Sequence, residues 1–136
     1  MKNFETGKKL IEEAQEYLGE MKRAYRRGSW NVTIRRAQEV VELGLKGLIK
    51  IMGAEYPKVH DPMEFVIRTL QRSKIEIKDE TKERLKRISA ELAEKRAPAF
   101  YFERVYSEKE AKEAKDGAEF VWRIIKQLHK RLTITQ

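Results

Sequence analysis

Residues 30–53 read "WNVTIRRAQEVVELGLKGLIKIMG", and the apolar positions in them recur with the period of an α-helix. Ile34, Ala37, Val41, Leu45, Leu48 and Met52 fall three or four apart and make one stripe. Val40, Ile49 and Ile51 broaden it, so a helix from about Trp30 to Met52 is the most apolar part of the chain. Gly44 and Gly47 lie inside it, where each costs about 1 kcal/mol against Ala. Glycine at such positions points to close approach by a neighbouring helix. Gly53 is the expected stop.

Upstream, a first helix spans about residues 4 to 27, with Leu10, Ile11, Ala14, Tyr17, Leu18, Met21 and Tyr25 on one face. In "RGSW" (27–30), Gly28 suits a left-handed helix end and Ser29 suits the cap of the next helix. So short a turn makes the first two helices antiparallel. Downstream, Tyr56-Pro57 cannot continue a helix. Asp61-Pro62-Met63-Glu64 predicts a new start, with Asp as the cap, Pro first and Glu third. A short third helix reaches about Gln71, with Met63, Val66, Ile67 and Leu70 inward. A fourth covers about Asp79 to Lys95 on a narrow stripe of Leu85, Ile88 and Leu92. Its outer face carries Lys82, Arg84, Lys86, Arg87 and Lys95.

"AEKRAPAFYFE" (93–103) then interrupts the pattern. Pro98 is expected to end the fourth helix and to push Ala97 out of helical geometry. Tyr56, Phe100, Tyr101, Phe102 and Tyr106 are expected to seal the ends of the core. Stacking on bases is the competing reading of these rings. Ser107 and Glu110 have capping-box spacing. A last helix runs from there to about Arg131, burying Ala111, Ala114, Ala118, Val121, Trp122, Ile125 and Leu128. No stretch alternates long enough for a strand. The expected fold is all-α: an antiparallel up-and-down bundle of about five helices, four long and one short, in a single domain over 1–136.

Composition agrees. The 136 residues carry only 7 glycines and 3 prolines, and 38% are charged. Sparse Asn and Gln beside abundant Lys, Arg and Glu resemble a thermophile's usage. Cysteine is absent, which removes disulfides, thiolate zinc sites and a cysteine nucleophile. The N-terminal residues do not read as a signal peptide, and no apolar run is long enough for a bilayer. The expectation is a soluble cytoplasmic chain without membrane contact. A net charge of +8 suits an anionic partner such as RNA or a nucleotide, or serves solubility alone.

Catalytic residues are few. No phosphate-cradling glycine loop, metal-binding helix motif or inward carboxylate set is present, so neither a metal nor a cofactor is expected. Metal-free chemistry on RNA needs little, because its 2′-hydroxyl is an internal nucleophile. An Arg to stabilise the phosphorane and a group to move the proton suffice. His60 is a candidate, although a histidine beside a helix start is commonly a turn residue. His129, near a helix C-terminus, suits the macrodipole as a cation.

The order "RRAQEVVELGLKGLIKIMG", "HDP", "KRAP" and "YSEKEAKEAKDGAEFVWRII" resembles the HEPN domain family of small helical proteins. The resemblance covers nearly the whole chain. It rests on Glu42, Leu45 and Lys46, on His60-Asp61, on Arg96 with Pro98, and on the Tyr106 segment. It implies an antiparallel bundle that commonly forms a homodimer, often encoded beside a minimal nucleotidyltransferase as a toxin–antitoxin pair. It also implies a metal-independent RNase motif of an Arg, a polar residue and a His four to six residues on. Arg96 takes the place of that Arg. Ala97 follows it, Tyr101 stands where the His is sought, and no His occurs from 97 to 128.

Three functions follow as expectations. The first is a dimer that binds a nucleotide, RNA or a nucleotidyltransferase through a basic groove near Arg96. The second is an RNase in which Tyr101 replaces the His or His60 reaches in. The third is a non-catalytic interaction module whose Arg96 caps a helix end.

Overall fold

The apolar stripe at residues 34–52 forms the centre of the protein. The computed structural model describes residues 2–134, in five helices: α1 (Lys2–Arg26), α2 (Trp30–Ile51), α3 (Met63–Arg72), α4 (Asp79–Phe100) and α5 (Glu108–Ile134). The fold is an all-α antiparallel bundle of four long helices and one short one, with no strand among the described residues. α2 packs against all four others. Ile34, Val40, Leu48 and Ile49 lie fully enclosed, each such side chain contributing about 1.5–3 kcal/mol through burial.

The glycines on α2 do mark close approach. A methyl group on Gly47 would sit 2.8 Å from the Gly7 carbonyl oxygen and 2.7 Å from Ile11. The α1 and α2 backbones therefore touch where Gly7 crosses Gly47. A methyl on Gly44 would meet Ile125 of α5 at 2.6 Å. Gly28 closes the α1–α2 turn at φ 78°, and Gly53 ends the next helix at φ 84°. Ser29 occupies the cap position, yet its hydroxyl caps nothing. Its carbonyl instead accepts from the Thr33 hydroxyl at 2.8 Å.

Two helix limits differ from expectation. α3 begins at Met63, with Pro62 as its cap, because the Pro62 carbonyl already takes the first helical bond, from the Val66 amide. Asp61 lies one residue outside and ties two helices together. Its Oδ1 accepts from the Met63 amide at 3.4 Å and from the Ser89 hydroxyl of α4. α4 does not stop before Pro98 but continues to Phe100. Ala97 stays helical and accepts the Tyr101 amide at 3.0 Å. Proline removes one bond and disfavours the turn before it. Here that turn is held from outside: the Asn31 amide on α2 donates to the Ala99 carbonyl at 3.2 Å and to the Arg104 carbonyl at 2.8 Å.

The expected aromatic seal is also corrected. Tyr106 alone is buried, while Phe100, Tyr101 and Phe102 are exposed. Asn31 does the sealing in their place, and its Oδ1 accepts the Tyr106 amide at 2.9 Å. α5 then opens with a complete capping box. The Ser107 amide donates to Glu110 Oε1 at 3.0 Å, and the Glu110 amide donates to Ser107 Oγ at 3.2 Å. Among the described residues, no helix is long and apolar enough to cross a membrane.

Candidate functional site

A second stripe runs along α2 beside the apolar one. Asn31, Arg35, Gln38, Glu42 and Lys46 are spaced by four, three, four and four, which puts them on one side of a helix. That side meets α4. The Asn31–Ala99 bond pairs the start of α2 with the end of α4, so the two run antiparallel. The Arg35 guanidinium lies 4.1 Å from the Phe100 ring centroid. Arg96 stands one turn before Phe100 on α4. Further along the seam, His60 reaches Glu42 and Asp61 reaches Ser89.

Charge along the seam is uneven. Glu42 accepts Gln38 Nε2 at 2.9 Å, Lys46 Nζ at 2.6 Å and His60 Nδ1 at 2.9 Å. Burial by itself would raise its pKa, but these hydrogen bonds outweigh burial and hold the carboxyl below its ordinary range. Arg36, next to Arg35, is neutralised by Glu20 at 2.8 Å and Glu39 at 2.6 Å. By contrast, no carboxylate among the described residues pairs with Arg35 or Arg96.

The same seam contains every buried side-chain polar atom that lacks a hydrogen-bond partner among the described residues: Arg35 Nε, Gln38 Oε1 and Arg96 Nε. Leaving such a group unpaired costs about 1–3 kcal/mol, and more when it is charged. Native proteins leave few of them. Two of the three are guanidinium donors, on Arg35 and Arg96, and the third, Gln38 Oε1, is an acceptor. Arg96 donates to no described helix carbonyl, so the capping role considered for it is not the one it plays.

The other sequence candidates separate. His60 joins the seam through Glu42, and its own carbonyl accepts Gln38 Nε2 at 3.2 Å. With Nδ1 on the carboxylate, Nε2 is the nitrogen left for a proton. Tyr101 ends α4 with its ring edge-on to Phe100, 4.8 Å between centroids, and no described residue hydrogen-bonds its hydroxyl. His129 stands on α5, outside the seam. Burial, with Lys126 and Lys8 nearby, pushes its pKa down, so the cationic role expected at the helix end is not favoured.

Arg35 and Gln38 were missed as site residues. Their signal is present in the sequence as the second, polar stripe, but it is masked by the stronger apolar one. A cavity of about 540 Å³ lies elsewhere, between α3 and the α3–α4 connection, with Leu70, Lys74, Ile75, Ile77 and Lys82 in its walls. It has no buried unpartnered group, so its size does not make it the site. Among the described residues, no group of three or more His, Asp or Glu is gathered as a metal would need.

The sequence model described as "HEPN domain" matches residues 8–128. Among solved structures, the crystal structure of TT1696 from Thermus thermophilus is similar, with a TM-score of 0.73. The alignment covers 90% of this chain and 97% of that one at 18% identity, a likeness of fold. No curated protein matches.

Proposed function

The chain belongs to the HEPN domain family, and on that premise we propose that the α2–α4 seam binds the phosphate groups of a nucleotide or RNA. One observation carries the reading: Arg35 on α2 and Arg96 on α4, two helices that pack together, each have a buried, unpartnered Nε and no carboxylate partner among the described residues. A phosphate supplies what both lack, a negative charge and several strong acceptors. The net charge of +8 draws such ligands in from a distance.

Replacing Arg96 by Ala tests the reading. A charge-assisted hydrogen bond is worth about 1.5–3 kcal/mol, so affinity for RNA or nucleotide should fall at least about tenfold. Stability should hold, because the substitution also removes an unsatisfied buried donor. Unchanged affinity removes Arg96 from the site. Family membership further supports a homodimer and a minimal nucleotidyltransferase partner in a toxin–antitoxin pair. Co-expression of the two chains followed by size-exclusion chromatography tests both, and separate elution of monomers counts against them.

The Glu42–His60 pair favours a second reading, metal-independent RNA cleavage. In it His60 Nε2 moves the proton and Arg96 stabilises the phosphorane. Tyr101 has no neighbour that would activate its hydroxyl, so the proton falls to His60. Labelled RNA should then be cut in the presence of EDTA, and His60→Ala should abolish cutting while leaving binding intact. Intact RNA across varied substrates rejects this second reading only.

A further inference from the structure

We propose that the cavity between α3 and the α3–α4 connection is a second binding site, for a small aliphatic zwitterion: an amino acid of the leucine kind, free or in a dipeptide. The proposal uses no residue of the α2–α4 seam and stands apart from the phosphate reading.

The cavity follows from how α3 ends. Its last turn closes on Lys74 at φ 59°, the left-handed position where glycine commonly ends a helix. The Lys74 amide donates to the Gln71 carbonyl at 3.0 Å, and the Ile75 amide donates to the Leu70 carbonyl at 2.9 Å. The chain is thereby turned back, and Ile75 and Ile77 join Ile67 and Leu70 around one space of about 540 Å³. That volume lies within the range of about 300–1,000 Å³ usual for small-molecule sites. Ile67 and Leu70 are buried, and Ile75 and Ile77 are half-buried. All four are aliphatic, and no aromatic ring among the described residues lines the space. A flat base has nothing there to stack on, whereas a branched aliphatic body finds apolar surface on several sides.

The charged residues in the wall select the head group. Lys82 and Asp79 are spent on each other, at 3.2 Å. Lys74 and Glu76 also lie in the wall. Neither has an ion-pair partner among the described residues, and they do not pair with each other. One free ammonium and one free carboxylate beside aliphatic side chains complement a ligand with one charge of each sign and an aliphatic body. Its carboxylate goes to Lys74 and its ammonium to Glu76. A phosphate would meet two carboxylates there as well as two lysines, and gains little. Lysine at a left-handed φ costs stability that glycine would not, so the backbone of Lys74 is strained where its ammonium is free.

Calorimetric titration of the full chain with leucine and with leucyl-leucine tests the proposal, beside three probes that each lack one feature. Isocaproate lacks the ammonium, isoamylamine lacks the carboxylate, and glycine lacks the aliphatic body. Leucine or its dipeptide should bind about threefold or more tighter than any of the three, and the tighter of the two names the source. Lys74→Gly should weaken leucine and isocaproate about threefold or more and leave isoamylamine unchanged. Its melting temperature should hold or rise as the left-handed φ is relieved, which separates lost binding from lost folding. Glu76→Gln should weaken leucine and isoamylamine and leave isocaproate unchanged. Gln71→Trp, at an exposed position in the wall, should fill the cavity and remove leucine binding. A parent protein that binds neither leucine nor the dipeptide overturns the proposal. So do analogues that bind as tightly as leucine, and so do Lys74→Gly and Glu76→Gln variants that bind leucine like the parent.

Discussion

Asn31 shows how much one buried amide can hold. Its side chain makes three hydrogen bonds: it donates to Ala99 and Arg104 and accepts from Tyr106. These bonds fix the end of α4, the exposed aromatic turn and the approach to α5. Asn31→Ala leaves buried backbone groups without partners, at about 1–3 kcal/mol each. A loss of about 2–4 kcal/mol is expected in urea or thermal unfolding, and the amide of Tyr106 should lose hydrogen-exchange protection first. A loss under about 0.5 kcal/mol would show that the turn is held by something else. Nothing in the sequence singles this residue out, because an Asn one position into a helix looks like an ordinary start. Its partners lie 68 to 75 residues away, beyond the reach of any local pattern. Arg96 is the opposite case: its likeness to the family's reactive Arg draws attention to it, and the structure adds that its buried Nε has no hydrogen-bond partner.

Among the elements, local chemistry was legible and mutual contact was not. The apolar periods locate all five helices, Gly28 and Gly53 end two of them, and the Ser107–Glu110 box opens the last. Pro98 misleads because its local cost is real, but the α4 end is anchored by a residue on α2. Gly44 and Gly47 announce a close neighbour without naming it, and nothing in the sequence marks Gly7 as their counterpart. The crossing has a consequence of its own. Gly47→Ala gains about 1 kcal/mol in helix propensity but drives a methyl within 2.8 Å of the Gly7 carbonyl oxygen and 2.7 Å of Ile11. Backbone cannot yield as a flexible side chain does, and overpacking costs about 1–3 kcal/mol or more. The net effect expected is destabilisation, read as a lower urea midpoint at unchanged slope. An increase in stability would mean that α1 and α2 part without cost.

At the scale of the whole molecule, an excess of eight positive charges leaves many Lys and Arg without an ion pair among the described residues, Arg35 and Arg96 with them. Composition suits an anionic partner or solubility alone and points to no place on the surface, since net charge carries no geometry. The seam itself was half legible: its polar stripe on α2 can be read by period, but that its start lies against the end of α4 follows only from the antiparallel packing of the two helices. Each phosphate neutralised on a single strand contributes about 0.7 to the slope of log affinity against log salt. The most direct measurement is therefore the affinity of the parent and of Arg96→Ala for a single-stranded RNA over a range of salt. If the seam holds phosphate, the variant binds at least about tenfold more weakly at low salt, with a slope shallower by about 0.7 and an unchanged melting temperature. Equal affinities with equal slopes would contradict phosphate binding at Arg96.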